Sequence, residues 1–494
     1  MAKRSKLSNV SMALNPHSLA ANSEQRGFRT ALNLFHETAR RVPAYKDFLK
    51  KRGIKAGNIL KPADFAQVPL TDKQSYFGQY SLKELSWDGE LNHACYISTS
   101  SGSTGVPFFW PRGDVQDRAC GLMYKNIYED IFGSKEGNTL VINSCAFGTW
   151  IAGFEFYNGV KFVADNGSRI TIVTPGIDKG EAIRQFKKLA SLFDRIVFIG
   201  YPPFVKDIID QGREDGIEWG KHDLKFLTSG EAVSEVWKGR LLEMIGKADR
   251  LDSFVNVYGM AEAGVVGHDT PLSTLLKRNL SEVAKVNTKP ENQVSGLYQY
   301  YPEQRYFESL PDSSLIFTAN AGLPLIRYDT RDTGGLLDRA KMSEYIDTHL
   351  NGAAKKNKVD LKKWQLPFVY LYGRKDLALS LYALIIYTDN VKMALENSSQ
   401  SAQLSGFFQM EISHTKKLDQ QFDIRIELAK GVRSNPTLAQ KLTNEIVTTL
   451  CKVNSEYSKL LASIGDRAKP VVELVPFGKI ETIPGRKHKW VKRS

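Results

Sequence analysis

Between residues 139 and 330 the chain repeats one pattern: a short apolar run, then a stretch with helical spacing. The runs TLVINSCAF, RITIVTPG, DRIVFIGYP, LKFLTSGE, SFVNVYGM and SLIFTANA are separated by segments such as Lys179–Phe193, Pro202–Gly212 and Val233–Ile245. Parallel strands need a crossover of a dozen or more residues, usually a helix, so this alternation predicts βαβ units around a largely parallel sheet. Several runs end on Gly, Pro, Ser or Thr. In open α/β sheets ligands bind at these carboxyl ends, and a functional site is expected there.

The flanks have other characters. Phe28, Leu32, Leu34 and Phe35, then Tyr45, Phe48 and Leu49, recur at helical spacing, with Pro43 splitting the stretch into two helices; Pro62–Asp64 starts a short capped one. Residues 340–366 are charged and read as a helical excursion. After Gly373, FFQMEISH and FDIRIEL alternate as strands, TLAQKLTNEIVTTLCKVN is an amphipathic helix and KPVVELVPFG is a further strand. Two domains are therefore expected, 1–372 and a small α+β unit over 373–494. The longest apolar run, Leu377–Tyr387, is too short to span a membrane. Cys95, Cys120, Cys145 and Cys451 form no C-x-x-C pair, so a reducing, cytoplasmic setting is the simpler expectation.

Chemistry concentrates in four places. Thr99, Ser100, Ser101, Gly102, Ser103, Thr104 and Gly105 lie between the β-like YIS and the apolar FFW. Glycines let backbone N–H groups turn inward and hydroxyls add donors, so such a loop can wrap a polyphosphate. It is not a Walker A loop, because no Lys follows the last Gly. Ser229, Gly230 and Glu231 close one apolar run. Tyr258 and Gly259 close another, with Glu262 shortly after. Arg327, Asp329, Arg331 and Asp332 then come together, followed by YGRKDLAL at 372–379.

Taken in order, SSGSTG, SGEA, YGMAE, RYDTRD and GRKD resemble the motifs of the phenylacetate–CoA ligase branch of the adenylate-forming (AMP-producing) acyl ligases. The family pattern is a Ser/Thr/Gly loop, a G-[AG]-E-P-like turn, Y-G-x-[ST]-E, R-Y-x-T-G-D and G-R-x-D-D. The resemblance extends to VPLTDK (68–73), AFGTWIAGFEFYNG (146–159), TPGIDKGEAI (174–183) and VELVPFG (472–478). It implies an α/β fold: a large N-terminal adenylate-forming domain with mixed or parallel sheets, plus a small mobile α+β C-terminal domain hinged near Asp376. It also implies two half-reactions. A small-molecule carboxylic acid attacks the α-phosphorus of ATP, releasing pyrophosphate, and a thiol, coenzyme A, then displaces AMP.

The resemblance assigns roles. The loop from Thr99 to Gly105 would hold phosphates, Ser229–Glu231 and Tyr258-Gly259 would line the nucleotide and acyl pocket, and Glu262 would hold Mg²⁺, a hard cation suited to carboxylate and phosphate oxygens. Asp332 would accept the ribose hydroxyls and Arg374 would meet ribose or phosphate. A catalytic Lys near the C-terminus falls on Lys487 with a one-residue insertion in IPGRKHKWVKRS; a gapless match gives Arg486, and Lys489 stays open. The acid pocket is expected along Cys145–Tyr157, from Phe147, Gly148, Trp150, Phe154, Phe156 and Tyr157, which suits an aryl or medium acyl acid.

The sequence also departs from the pattern. Val106 stands where the loop often has Lys, Ala261 replaces Ser/Thr, and Arg331 replaces Gly. Ala383, Thr388 and Lys392 break the stretch after GRKD, which leaves the acceptor open: coenzyme A, or an amine, a sugar or a protein. A reading from another class, a decayed ligase fold serving as a nucleic-acid-binding or scaffold protein, is prompted by the net charge of +13. Much of that excess sits at the ends, at Lys3, Arg4 and Lys6 and again at Arg486, Lys487, Lys489, Lys492 and Arg493, so nucleic acid is not the expected partner. The oligomeric state stays open.

Overall fold

The computed structural model describes residues 23–483 and 487–488, other than 93, 100–107, 149–150, 231, 234, 280–293, 295, 341, 375–377, 383, 388–389, 392–393, 396 and 481. Helices Ser23–Arg41 and Pro43–Lys51 break where proline demands it: Pro43 takes the first helical position after Val42, whose backbone is extended (φ −98°, ψ 112°). Their apolar stripes place Ala31, Phe35, Tyr45 and Phe48 in a core shared with Phe65, Phe77, Tyr258, Phe317 and Tyr328. Strands β1 (Tyr96–Thr99) and β2 (Phe109–Arg112) then pair antiparallel with one another, Thr99 opposite Phe109.

The main sheet has eleven strands and two halves. In the first, β3 (Thr139–Ser144), β4 (Ile170–Val173), β5 (Arg195–Gly200), β6 (Leu224–Ser229) and β7 (Phe254–Met260) run parallel in the order β4-β3-β5-β6-β7. Helices Ile151–Asp165, Lys179–Leu189, Pro202–Glu214 and Glu235–Met244 make the crossovers, as the alternation predicts. The second half corrects the expectation of a largely parallel sheet. Only Ala261–Ala263 join β7 to β8 (Gly264–His268), far too little chain for a crossover, so β8 turns back antiparallel. The neighbours that follow, β9 (Gly296–Gln299), β10 (Tyr306–Ser309), β11 (Ser314–Asn320), β12 (Pro324–Leu337) and β13 (Phe368–Arg374), complete the order β8-β9-β13-β12-β11-β10, every pair antiparallel. The charged stretch after 340 forms helices Ser343–His349 and Asn351–Lys356. Ile346, Leu350 and Ala354 anchor it in the core with Leu297 and Phe368, so it is part of the main body.

The small C-terminal domain carries its own core. β14 (Ala378–Leu381) pairs with β15 (Leu384–Tyr387), and β16 (Leu404–His414), β17 (Gln420–Leu428) and β18 (Val471–Val475) form a three-stranded sheet. Helix Pro436–Val453, capped by the Asn435 side chain accepting the Leu438 N–H at 2.8 Å, and helix Ser455–Ile464 contribute Leu442, Ile446, Leu450 and Tyr457 to a core with Phe408, Met410, Phe422 and Ile424. Arg467 reaches back to Asp207 on helix Pro202–Glu214 through two bonds of 2.6 and 3.0 Å. β19 (Thr482–Ile483) and β20 (Lys487–His488) follow β18. Among the described residues no helix is long and apolar enough to cross a membrane.

Candidate functional site

The strand ends bring the sequence candidates together. Ser229 ends β6 in register with Val257 of β7, and Gly230 follows at φ +101°, a conformation that favours glycine. Tyr258 and Gly259 come next on β7, and the reversal into β8 carries Glu262 at its tip. These lie at the carboxyl edge of the parallel half, where Phe147 and Gly148 also follow β3. Glu231 lies outside the described residues.

Glu262 is buried, its side chain 7% exposed. Lys73 pairs with its Oε1 at 2.6 Å, and the Tyr328 hydroxyl donates to the same oxygen at 2.7 Å. Burial pushes this carboxyl up, but the charge and hydrogen bond of Lys73 and the Tyr328 hydroxyl outweigh it, holding Glu262 below the usual glutamate range. The sequence reading gave Lys73 no role, although VPLTDK marked its segment. That segment lies along β12: the Thr71 N–H donates to Arg327 O at 3.1 Å, Asp329 N–H donates to Thr71 O at 2.9 Å, and the Thr71 hydroxyl donates to Ile326 O at 2.8 Å. Lys73 is thereby delivered to Glu262.

Asp332 is reached from the other motif. The Tyr258 hydroxyl donates to Asp332 Oδ2 at 2.6 Å, while the Tyr258 ring lies near-parallel to those of Tyr298 (5.8 Å) and Phe307 (6.3 Å). Asp332 on β12 is the register partner of Arg374 on β13, so the backbones of these two candidates are paired across neighbouring strands. Arg331, where the family pattern has Gly, keeps the left-handed backbone that glycine favours, at φ +63°. Its N–H donates to Asp329 Oδ1 at 2.9 Å and its guanidinium meets Asp72 at 2.8 Å. Arg327 is structural: it grips the Glu308 carboxylate and the carbonyls of Ala66 and Val68.

The Ser/Gly loop lies outside the described residues from Ser100 through Ser101, Gly102, Ser103 and Thr104 to Gly105. Its flanks do not: Thr99 and Phe109 face each other at one end of the β1–β2 pair. Along the expected acid pocket, Phe154 (40% exposed) and Tyr157 (36%) share the outer face of helix Ile151–Asp165, with Phe147 edge-on to Phe154 at 5.4 Å. Gly148 is exposed at φ +92°. Phe156 is corrected: one position round the helix from Glu155, it is fully buried against Tyr124 and belongs to the core. Trp150, Arg486 and Lys489 lie outside the described residues, and the backbone of Lys487 sits on β20 opposite Ile483.

Among the described residues no group of three or more His, Cys, Asp or Glu could hold a metal by itself. Glu262 offers a single carboxylate, a donor that fits a hard cation held mainly by other oxygens rather than a metal caged by protein alone.

The chain has the fold of the adenylate-forming acyl-CoA ligases, a large α/β domain followed by a small domain with its own sheet. The 2-hydroxyisobutyryl-CoA ligase, in complex with 2-HIB-AMP and CoA in the thioesterification state, matches at a TM-score of 0.65 and 16% identity, over 96% of this chain and 90% of that one. The same ligase in the postadenylation state with R3-HIB-AMP matches at 0.55 and 15%, over 96% and 90%. Its open conformation with 2-HIB-AMP and CoA matches at 0.52 and 15%, over 95% and 91%. No family model and no curated protein matches the chain.

Proposed function

We propose that this chain is an ATP-dependent carboxylate ligase of the phenylacetate–CoA ligase branch, forming an acyl adenylate and then an acyl-CoA thioester from an aryl or medium acyl acid. The observation that carries the reading is the reciprocal contact between two separated motifs: Tyr258 reaches Asp332, and Tyr328 reaches Glu262. It supports the reading by coupling the acid proposed for the ribose hydroxyls and the acid proposed for a phosphate-borne cation through the same two segments.

In this reading Asp332, oriented by Tyr258, accepts the ribose hydroxyls, and Arg374 lies across from it. Glu262 holds the Mg²⁺ that enters with ATP, and that ion supplies neutralisation of the triphosphate charge. Lys73 provides beside Glu262 the cation that the Ser/Gly loop lacks at Val106. In-line attack of a carboxylate on the α-phosphorus brings two anions together, so positioning and charge neutralisation carry most of the catalysis. Phe147, Phe154 and Tyr157 give the acid an aromatic wall, and Ser229 and Gly230 border the nucleotide. Lys487 arrives on the small domain for the first step, and rotation near Asp376 opens the way for coenzyme A in the second.

The test is pyrophosphate exchange into ATP against a panel of aryl and medium acyl acids, followed by thioester formation with coenzyme A. Carboxylate-dependent exchange with thioester product is expected. Exchange indifferent to coenzyme A, with no thioester, moves the acyl group to another acceptor; no exchange with any acid overturns the reading.

A further inference from the structure

Three buried charged side chains, from three different parts of the chain, each take a backbone polar group of one short turn. The turn is 261–265, which carries Glu262. Arg112 of β2 donates through Nη2 to the Ala261 carbonyl, and through Nε to the Ser98 hydroxyl at 3.2 Å. Arg305 donates through Nη2 to the Ala263 carbonyl at 3.0 Å, and through Nη1 to the Gln304 carbonyl at 3.0 Å. Glu155, on the inner face of helix Ile151–Asp165, accepts the Val265 N–H on Oε1 at 2.5 Å. Arg112 and Arg305 are each 1% exposed and Glu155 is 8% exposed.

A three-residue hairpin link does not need buried ions for its own stability; charged groups taken out of water carry a desolvation cost that well-packed apolar side chains avoid. Their geometry gives them another use. Each backbone group of the link that is fixed removes freedom from the carboxylate at its tip. Arg112 also ties that link to the base of the hairpin bearing the Ser/Gly loop. Glu155 does two jobs: it takes the Val265 amide, and its carboxyl, which burial pushes above the usual glutamate range, is drawn back down by the nearby Arg112 and Arg305 guanidinium groups. Gly264 makes the approach feasible: at φ +71°, a Cβ on it would lie 2.5 Å from Glu155 Oε2.

We propose that Glu155, with Arg112 and Arg305, is a positioning residue that locks the 261–265 turn so that the Glu262 carboxylate is held in one orientation toward the phosphates and their cation. This rests on the ligase reading above. Loss of such an outer support lowers metal affinity or activity about 10- to 100-fold.

The experiment is a double-variant cycle with Glu155→Gln and Glu262→Gln on the full chain. Pyrophosphate exchange is followed as Mg²⁺ is titrated, and hydrogen exchange of the 255–268 peptide is read in the free protein. Expected for Glu155→Gln is a 10- to 100-fold slower exchange reaction with a raised Mg²⁺ requirement, an unchanged KM for the acid, and faster amide exchange in that peptide. The double variant is expected to be no slower than Glu262→Gln alone. Additive losses, or amide exchange equal to wild type, overturn the positioning role. A wild type inactive with every acid defeats the ligase reading instead, and the amide exchange still decides whether the clamp exists. Should Glu155→Gln not fold, Arg305→Lys enters the same cycle with the same expected outcomes.

Discussion

Tyr258 donates its hydroxyl to Asp332 at 2.6 Å, and the favour is returned four residues along each segment, where Tyr328 donates to Glu262 at 2.7 Å. Each motif thus holds the acid of the other. A hydrogen bond to a charged partner contributes about 1.5–3 kcal/mol. Tyr258→Phe is therefore expected to raise the KM for ATP roughly tenfold or more with a smaller change in kcat, because ribose binding is uniform through the reaction. Titration of ATP in the exchange assay checks this; an unchanged KM removes Asp332 from the nucleotide.

Lys73, its side chain 29% exposed, pairs with the buried carboxylate of Glu262, and removing it leaves that buried charge without its cation, at a cost of about 1–3 kcal/mol. In the wild type, Glu262 titrates below the usual range, so its contribution is present above an unfolded-state pKa of about 4.3 and is lost as pH falls through the lower folded value. In Lys73→Met burial of the carboxyl is opposed by the Tyr328 hydroxyl without the lysine, and the carboxyl moves up. The variant is expected to melt well below wild type at pH 7.5, with the gap narrowing toward pH 4.5 as Glu262 protonates. Melting curves across that range check it, and a gap that stays constant with pH shows that the pair is not the source.

What the sequence made legible was whatever is local. Strand ends with Gly, Ser or Tyr announce themselves within ten residues, and they fall at the sheet edge where they were expected. Glu262 stands out in the sequence because its motif is contiguous; Lys73 does not, because its partner lies far along the chain and the β12 contacts of Thr71 bring it in. The antiparallel half was missed because a three-residue link such as Ala261–Ala263 resembles the start of a loop until its length is weighed against a crossover. Phe156 was legible and overlooked: Phe154 and Tyr157 share one helix face, whereas Phe156 with Val160 follows the buried stripe.

Arg467 of the small domain binds Asp207 of the large one at 2.6 Å and 3.0 Å and Asp419 of its own domain at 3.4 Å, while Tyr201 reaches Gln420 and Lys206 reaches Asp419 across the same boundary. The Asp207 side chain is 8% exposed and Arg467 is 39% exposed, so salt reaches one end of the pair only. If the small domain turns between half-reactions, this contact must break. Arg467→Ala is expected to increase the radius of gyration in small-angle scattering, with Asp207→Asn doing the same and melting of the main body little changed. Scattering identical to wild type in both variants means that other contacts set the orientation.

On the proposed ligase reading the basic tail offers three candidates for the cation that meets the developing charge of adenylate formation, and of these the backbone of Lys487, paired with Ile483, is the one described. A donor aimed at transition-state charge contributes about 10²- to 10³-fold to the rate, with little effect on ground-state affinity. Lys487→Ala is accordingly expected to slow pyrophosphate exchange by about 100-fold while ATP binding and thioester formation from a supplied acyl adenylate persist. Thioester formation persists because that half-reaction no longer involves the α-phosphorus attack that the lysine serves. Arg486→Ala and Lys489→Ala, measured in the same two assays, are expected to lose far less. If Lys489→Ala carries the hundredfold loss and Lys487→Ala does not, the tail is read two residues out of register.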